Sequence, residues 1–328
     1  MRKSTSRFVG VFAAVAVAIS ACAPEPTAPN TVDSELQGPA FAKGGKATGD
    51  VVSAKLQEIN AGLAAAGAGY AVEMAEISLG PNASVDQAQI IFAFDRTLRL
   101  SSKWVPGDAR RDADGDNITY MNHMSLMTAN GALNAEPAID ASFGTWEHVN
   151  CSKLNLVKRP HDGSLNSAVI VDNDGTPFGN PFAADIYTLG FLPGFFFDVF
   201  LGPGASQNVL GVTFTFIFGS FDSEGNFTPS DIDNNHRTDT ALKEIWYNDD
   251  FLWSTSGGPG EDIETVAFHE NGHALELGHF GKVSVNLSAG RLIVAPRAAM
   301  NAFILGTLRG PLGTDNAAYC GNWASWPN

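Results

Sequence analysis

Residues 262–281 read DIETVAFHENGHALELGHFG, a run that carries three of the chain's seven histidines. His269 and His273 stand at i and i+4, so on a helix both imidazoles leave the same face and can grip one tetrahedral zinc. Glu270, beside the first of them, reaches the remaining coordination position and can take a proton from water held there. Thr265, Val266, Ala267 and Phe268 lead into the histidines, so the segment reads as buried. His279 stands six residues past His273. On an unbroken helix it would lie about 9 Å further along the axis, out of reach of a shared ion. The helix must therefore break between them, with a residue there in left-handed space. Glu276 is itself a carboxylate on the same face, but on an unbroken helix it sits about 10 Å along the axis from His269, too far to share the zinc. The broken helix with His279 as third ligand is the expectation.

Downstream, Arg297-Ala298-Ala299-Met300-Asn301 places a methionine in a turn-like setting. Together, H-E-x-x-H, a third His six residues on and this methionine resemble the metzincin peptidases, and within them the matrixins. The family's helix-ending Gly is Glu276 here, a departure that costs about 1–2 kcal/mol in left-handed space, part of which Gly278 can take up. The resemblance covers roughly residues 104–328. It implies an α+β domain with a twisted mixed sheet, two main helices and a Met-turn, whose Met300 lies beneath the imidazoles without ligating; the alternative is a plain core methionine. Glu244–Asn248 is similar to the strand entering the active-site helix, and Leu308–Tyr319 to the start of the C-terminal helix. It also implies an edge strand lying antiparallel to an extended polypeptide substrate, and it raises the prospect of structural calcium.

For calcium, Asp231, Asp233, Asn235 and Asp239 alternate as loop ligands do, against the reading of a solvated Asx-rich turn. His236 and Leu242 stand where an EF-hand needs Gly and Glu, so this is not a full EF-hand. Asp112, Asp114 and Asp116 form a weaker version. His123, His148, His161 and His236 read as surface or packing histidines, with a second structural zinc as the alternative.

Further out, strands are expected at Ile118–Met124, Leu154–Val157, Ala168–Val171, Val209–Phe218 and Lys243–Tyr247. A helix is expected at Ala132–Val149 and a Gly-, Pro- and Phe-rich loop at Gly190–Gly204. Before this unit, residues 49–103 form a small N-terminal subdomain or propeptide. It comprises a helix over Asp50–Ala66, a strand over Tyr70–Leu79 and a β-rich stretch over Gln89–Leu98. Residues 23–48, rich in Pro, Ala, Gly, Thr and Ser, read as a flexible tether.

At the start of the chain, Arg2, Lys3 and Arg7 precede the short apolar run Phe8–Ile19, which is a signal peptide rather than a membrane span. Ile19-Ser20-Ala21-Cys22 resembles a bacterial lipobox, which makes residues 1–22 a lipoprotein signal and Cys22 the lipidated residue of a cell-envelope protein. Ordinary cleavage after Ala23 is the alternative. Cys151 and Cys320 then remain as an even pair for one disulfide in an oxidising compartment, with two independent buried thiols as the alternative. No cysteine other than Cys22 precedes the catalytic unit. A thiol switch of the kind matrixins often use is therefore missing: either residues 50–100 inhibit by another means or the enzyme is made active.

Composition agrees with this placement. The chain has 20 Lys and Arg against 35 Asp and Glu, a net charge of −15, which excludes the clustered positive charge that nucleic acid requires. No P-loop, dinucleotide fingerprint or Gly-x-Ser-x-Gly elbow is present. The expected function is a monomeric zinc metalloendopeptidase acting on polypeptides and touching the membrane only through its lipid anchor. The rivals are an envelope binding protein with a structural zinc, marked by four protein ligands and full burial, and a peptidase acting on peptidoglycan peptides.

Overall fold

Val209–Phe221 carries Val, Leu, Thr, Phe and Ile at nearly every position, which suits a strand covered on both faces. In the computed structural model, which describes residues 46–81, 83, 100–111, 115–123, 126–161, 182–286 and 291–327, this strand lies one place in from the edge of the main sheet. The main strands are β1 (Tyr70–Leu79), β2 (Ile118–Asn122), β3 (Leu156–Lys158), β4 (Ile186–Leu192), β5 (Val209–Phe221) and β6 (Thr238–Asn248). Their order is β1-β5-β6-β4-β2-β3. β5 runs antiparallel to both neighbours, whereas β6, β4, β2 and β3 are mutually parallel. The fold is α+β with a mixed sheet.

Helices cover both faces. α1 (Lys46–Ala65) and α3 (Gly194–Leu201) lie on one, where Leu56, Ile59, Leu63, Phe197 and Phe200 meet Val212, Phe214, Phe216 and Trp246. α2 (Glu136–Glu147) and α4 (Ile263–Ala274) lie on the other, where Ile139, Phe143, Trp146 and Phe268 meet Ile118, Ile245 and Tyr247. The alternation along β5 and β6 assigns each residue to a face. Thr213, Thr215 and Lys243 fall on the α4 side, the side of the histidines. α5 (Gly313–Trp323) closes the chain and packs Tyr319 and Trp323 into the same layer as α2 and α4.

Several expectations are met closely. The strand over Tyr70–Leu79 has the expected bounds, and the first helix spans Lys46–Ala65, taking in the last residues assigned to the tether. α2 is shorter than expected because Leu133–Asn134 pairs with Thr128–Ala129 before the helix begins. One expectation is corrected. The Gly190–Gly204 segment is the end of β4 followed by α3, because Phe197, Phe200 and Leu201 fall on one helical face and bury together. Among the described residues a one-turn helix, Ala205–Asn208, stands beside α1–α5. Where residues 49–103 are described, β1 pairs with β5 from Tyr70↔Phe218 to Leu79↔Val209, inside one compact unit. Cys22, nearly all of the tether, Gln89–Leu98, Ala168–Val171, Asp112 and Asp114 lie outside the described residues. No described helix is long and apolar enough to cross a membrane.

Cys151, just after α2, is disulfide-bonded to Cys320 in α5, closing a loop with a sequence separation of 169. Replacing both by Ser is expected to destabilise the fold by roughly 2–5 kcal/mol, since a closed loop of this length limits the unfolded chain strongly. Urea unfolding of oxidised native chain beside the double variant checks this; equal midpoints would contradict it.

Candidate metal centre

α4 is fixed at both ends by side chains from distant segments. At its N-terminus Asp262 accepts the Thr265 backbone N–H at 2.9 Å and pairs with Arg309 at 2.5 Å. At its C-terminus the carbonyls left over by the helix accept from two indoles, Trp104 Nε1 on Ala274 O at 3.0 Å and Trp323 Nε1 on Leu275 O at 2.9 Å. Trp146 stacks on Phe268 with centroids 4.3 Å apart and donates to its carbonyl at 2.8 Å. Between these anchors every residue of the helix but Glu264 is buried, in agreement with its apolar lead-in.

The helix ends at Ala274, and two residues later Glu276 adopts φ +67°. This left-handed residue turns the chain back and brings His279 onto His269 and His273. The three Nε2 atoms lie 3.0, 3.1 and 3.2 Å apart. Nδ1 of His269 sits 2.7 Å from Ala299 O, and Nδ1 of His273 lies 2.8 Å from Leu277 O. A carbonyl can only accept, so in both rings the proton is on Nδ1 and Nε2 presents a lone pair to the centre. Burial, and then the neighbouring His279, pushes His269 down to about 3, and His273 is lowered by the same causes, which keeps both rings neutral.

Converging lone pairs repel unless a cation sits among them. Tetrahedral zinc with Zn–N of about 2.0–2.1 Å separates its nitrogens by about 3.3–3.4 Å, so the cluster fits that ion after movements of a few tenths of an ångström. Among the described residues these three histidines form a group able to hold a metal ion.

Glu276, the departure from the expected Gly, is fully buried, and its carboxylate is fully engaged. Thr240 Oγ1 donates to it at 2.6 Å, Ser102 Oγ at 3.1 Å, and the buried Lys243 ammonium lies 3.3 Å away. Lys243 also donates to Thr215 at 2.8 Å and to His273 O at 3.3 Å, so the ion pair ties the turn to β6 and to the helix carbonyls.

Met300 is buried against the helix at Gly272, where an added Cβ would fall 2.3 Å from its sulfur. Glycine in mid-helix is what lets the thioether approach. The turn is held by Asp315 of α5, which accepts from the Ala299 and Met300 N–H groups at 2.8 and 3.1 Å. Asp315 therefore positions Ala299 O, the acceptor that orients His269.

Glu270 points at the sheet, not at solvent. Thr213 Oγ1 donates to Oε2 and Ser78 Oγ to Oε1, each at 2.6 Å. Burial pushes its carboxyl up to about 7 against these hydrogen bonds. From β1, Glu76 brings a second carboxyl whose Oε2 lies 3.2 Å from His273 Nδ1 without a hydrogen bond of its own. Burial pushes Glu76 well up. Leu79, at the end of β1, donates its N–H to Ala302 O at 2.8 Å and accepts from the Ile304 N–H at 2.9 Å.

Of the calcium candidates, Asp231, Asp233 and Asp239 come close enough to share a cation, with Asp231 and Asp233 exposed. All three already accept hydrogen bonds from within the loop, and Asn235 turns its carbonyl oxygen to the Arg237 N–H at 2.8 Å. His123 and His161 pack together with centroids 4.2 Å apart. Sequence reasoning did not find Ser78, Thr213, Lys243 or the role of Asp315; only Asp315, next to a helix start, carried a local signal. No family model matches the sequence, and no curated protein is significantly similar to it.

Glu276→Gly is expected to destabilise the protein although it removes a strained φ. Relief of strain is worth about 1–2 kcal/mol, whereas stranding the buried Lys243 ammonium costs about 3–5 kcal/mol. A net loss of about 2 kcal/mol in urea unfolding, partly recovered by adding Lys243→Met, is the predicted result. A stabilised single variant would show that the ion pair does not hold the turn.

Proposed function

We propose that the protein is a zinc-dependent metalloendopeptidase that hydrolyses internal peptide bonds, a matrixin-like enzyme held at the bacterial cell envelope through lipidated Cys22. The observation that carries the reading is the approach of three histidine Nε2 atoms to within 3.0–3.2 Å, two of them on rings whose other nitrogen is fixed by a carbonyl. Neutral imidazoles in a set of three suit a catalytic zinc, since a structural one is normally closed by a fourth protein ligand. Zinc bound there supplies Lewis acidity toward a peptide carbonyl and toward water.

The remaining chemistry belongs to Glu270. A buried carboxyl pushed up to about 7 can take a proton near neutral pH and release it again to a leaving amine. The Thr213 hydroxyl holds one carboxyl oxygen from below and fixes the side chain on the sheet side of the helix. Ala299 O and Leu277 O hold two of the metal-binding rings in the required tautomer. Met300 fills the space against the helix at Gly272 with an apolar floor.

The structural-zinc reading draws on one observation, the burial of His269, His273 and His279 to 2 % exposure or less. Glu270→Ala separates the two readings. The variant is expected to retain about one zinc per chain while cleavage of an unfolded protein substrate falls by about 10²–10⁴-fold. Unchanged zinc and unchanged, absent cleavage in native and variant alike would favour the staple.

A further inference from the structure

One strand, β1, lays side chains against both Glu270 and His273. On β1, Glu76 and Ser78 face α4, and both are buried. Ser78 donates to Glu270 through its hydroxyl, and its backbone N–H also reaches the carboxyl. Beyond Ser78 the strand is held along both edges at once. Leu79 lies opposite Val209 of β5 and bridges in parallel to Phe303 just past Met300, through its hydrogen bonds to Ala302 and Ile304. A grip made of backbone hydrogen bonds on both sides accepts extended polypeptide with little regard to side chains. It ends against the carboxyl assigned the proton transfer. A second polypeptide can reach Glu270 by that route only if β1 leaves.

We propose that β1 is a built-in occupant of the substrate cleft, so that the full chain is held at low activity that rises when β1 lifts from β5 and from residues 302–304. This rests on the peptidase reading and assigns that site its regulation. The strand is suited to leaving. It is an edge strand, its ladder is interrupted between Val72 and Met74 and again between Ser78 and Leu79, and it carries buried carboxyl oxygens of Glu73 and Glu76 without hydrogen bonds. Such groups weaken a segment's hold, because they lose water without gaining a partner. What keeps it in place is α1, whose Leu56, Ile59 and Leu63 share a core with Tyr70 and Val72, and Asn60, which bonds Val72 at both its N–H and its carbonyl.

The test uses the full chain with a disulfide engineered through Ile77→Cys and Val212→Cys. These are direct cross-strand partners whose side chains lie on the sheet face away from Glu270. Cleavage of an unfolded protein is measured for the oxidised pair, for native chain and for Leu79→Pro, which deletes the N–H donated to Ala302. Locking β1 is expected to slow cleavage at least tenfold relative to native, and Leu79→Pro to raise it at least tenfold. A locked chain that cuts at the native rate overturns the proposal. If no form cuts, binding of a fluorescein-labelled peptide YAVEMAEISL decides. Capture by Leu79→Pro and exclusion by the locked chain keeps the cleft proposal while the peptidase reading fails. Equal capture by both forms, or by neither, overturns the proposal.

Discussion

Glu276 holds a backbone angle that side chains other than glycine rarely adopt, and it does so with a carboxylate buried against Lys243. The metal centre depends on that arrangement. Without the left-handed turn His279 continues away from His273 along the helix axis, and two histidines on one helix face are all that remains. Without Lys243, Thr240 and Ser102 the carboxylate has no compensation for its burial, and the turn has nothing to hold it. Lys243 and Thr240 belong to β6 and Ser102 to a short strand paired with the start of β6, so the third histidine is positioned by the sheet as much as by the chain segment that carries it.

The same logic extends outward. The leftover carbonyls at the end of α4 are taken by Trp104, Trp323 and Lys243, which come from the segment between β1 and β2, from the last helix and from β6. Asp315 of α5 ties down the Met300 turn, and that turn supplies the carbonyl that orients His269. Behind His269 a chain of hydrogen bonds therefore runs through Ala299 to α5, while His273 is held by Leu277 O just past the turn, and the disulfide between Cys151 and Cys320 anchors the helix that supplies Asp315 and Trp323. Such a site is rigid because its supports are distributed. Rigidity of this kind is what the proposed metal site requires.

The parts of the site that follow from local spacing were legible in the sequence. His269, Glu270 and His273 are fixed by helix periodicity, the need for a break before His279 follows from a rise of 1.5 Å per residue, and the strand over Tyr70–Leu79 shows in its own pattern. What was hidden is long-range. Ser78 meets Glu270 across 192 residues and Thr213 meets it across 57, and nothing near either residue announces the contact. Glu276 looked like a defect because the cation that compensates it lies 33 residues upstream. The Phe-rich segment after β4 was misread because its flanking Gly and Pro outweighed the helical spacing of Phe197, Phe200 and Leu201. The pairing of β1 with β5 was hidden for a related reason: a strand's pattern does not say which sheet it joins.

Zinc K-edge X-ray absorption on the full chain loaded with one equivalent of zinc reads out the third ligand. Three imidazole nitrogens are expected within a shell of light atoms at about 2.0–2.1 Å, with no sulfur, and one imidazole is expected to be lost in His279→Ala. A shell with only two imidazoles in the native chain, or one unchanged by that substitution, would mean that the turn at Glu276 does not deliver the third ligand.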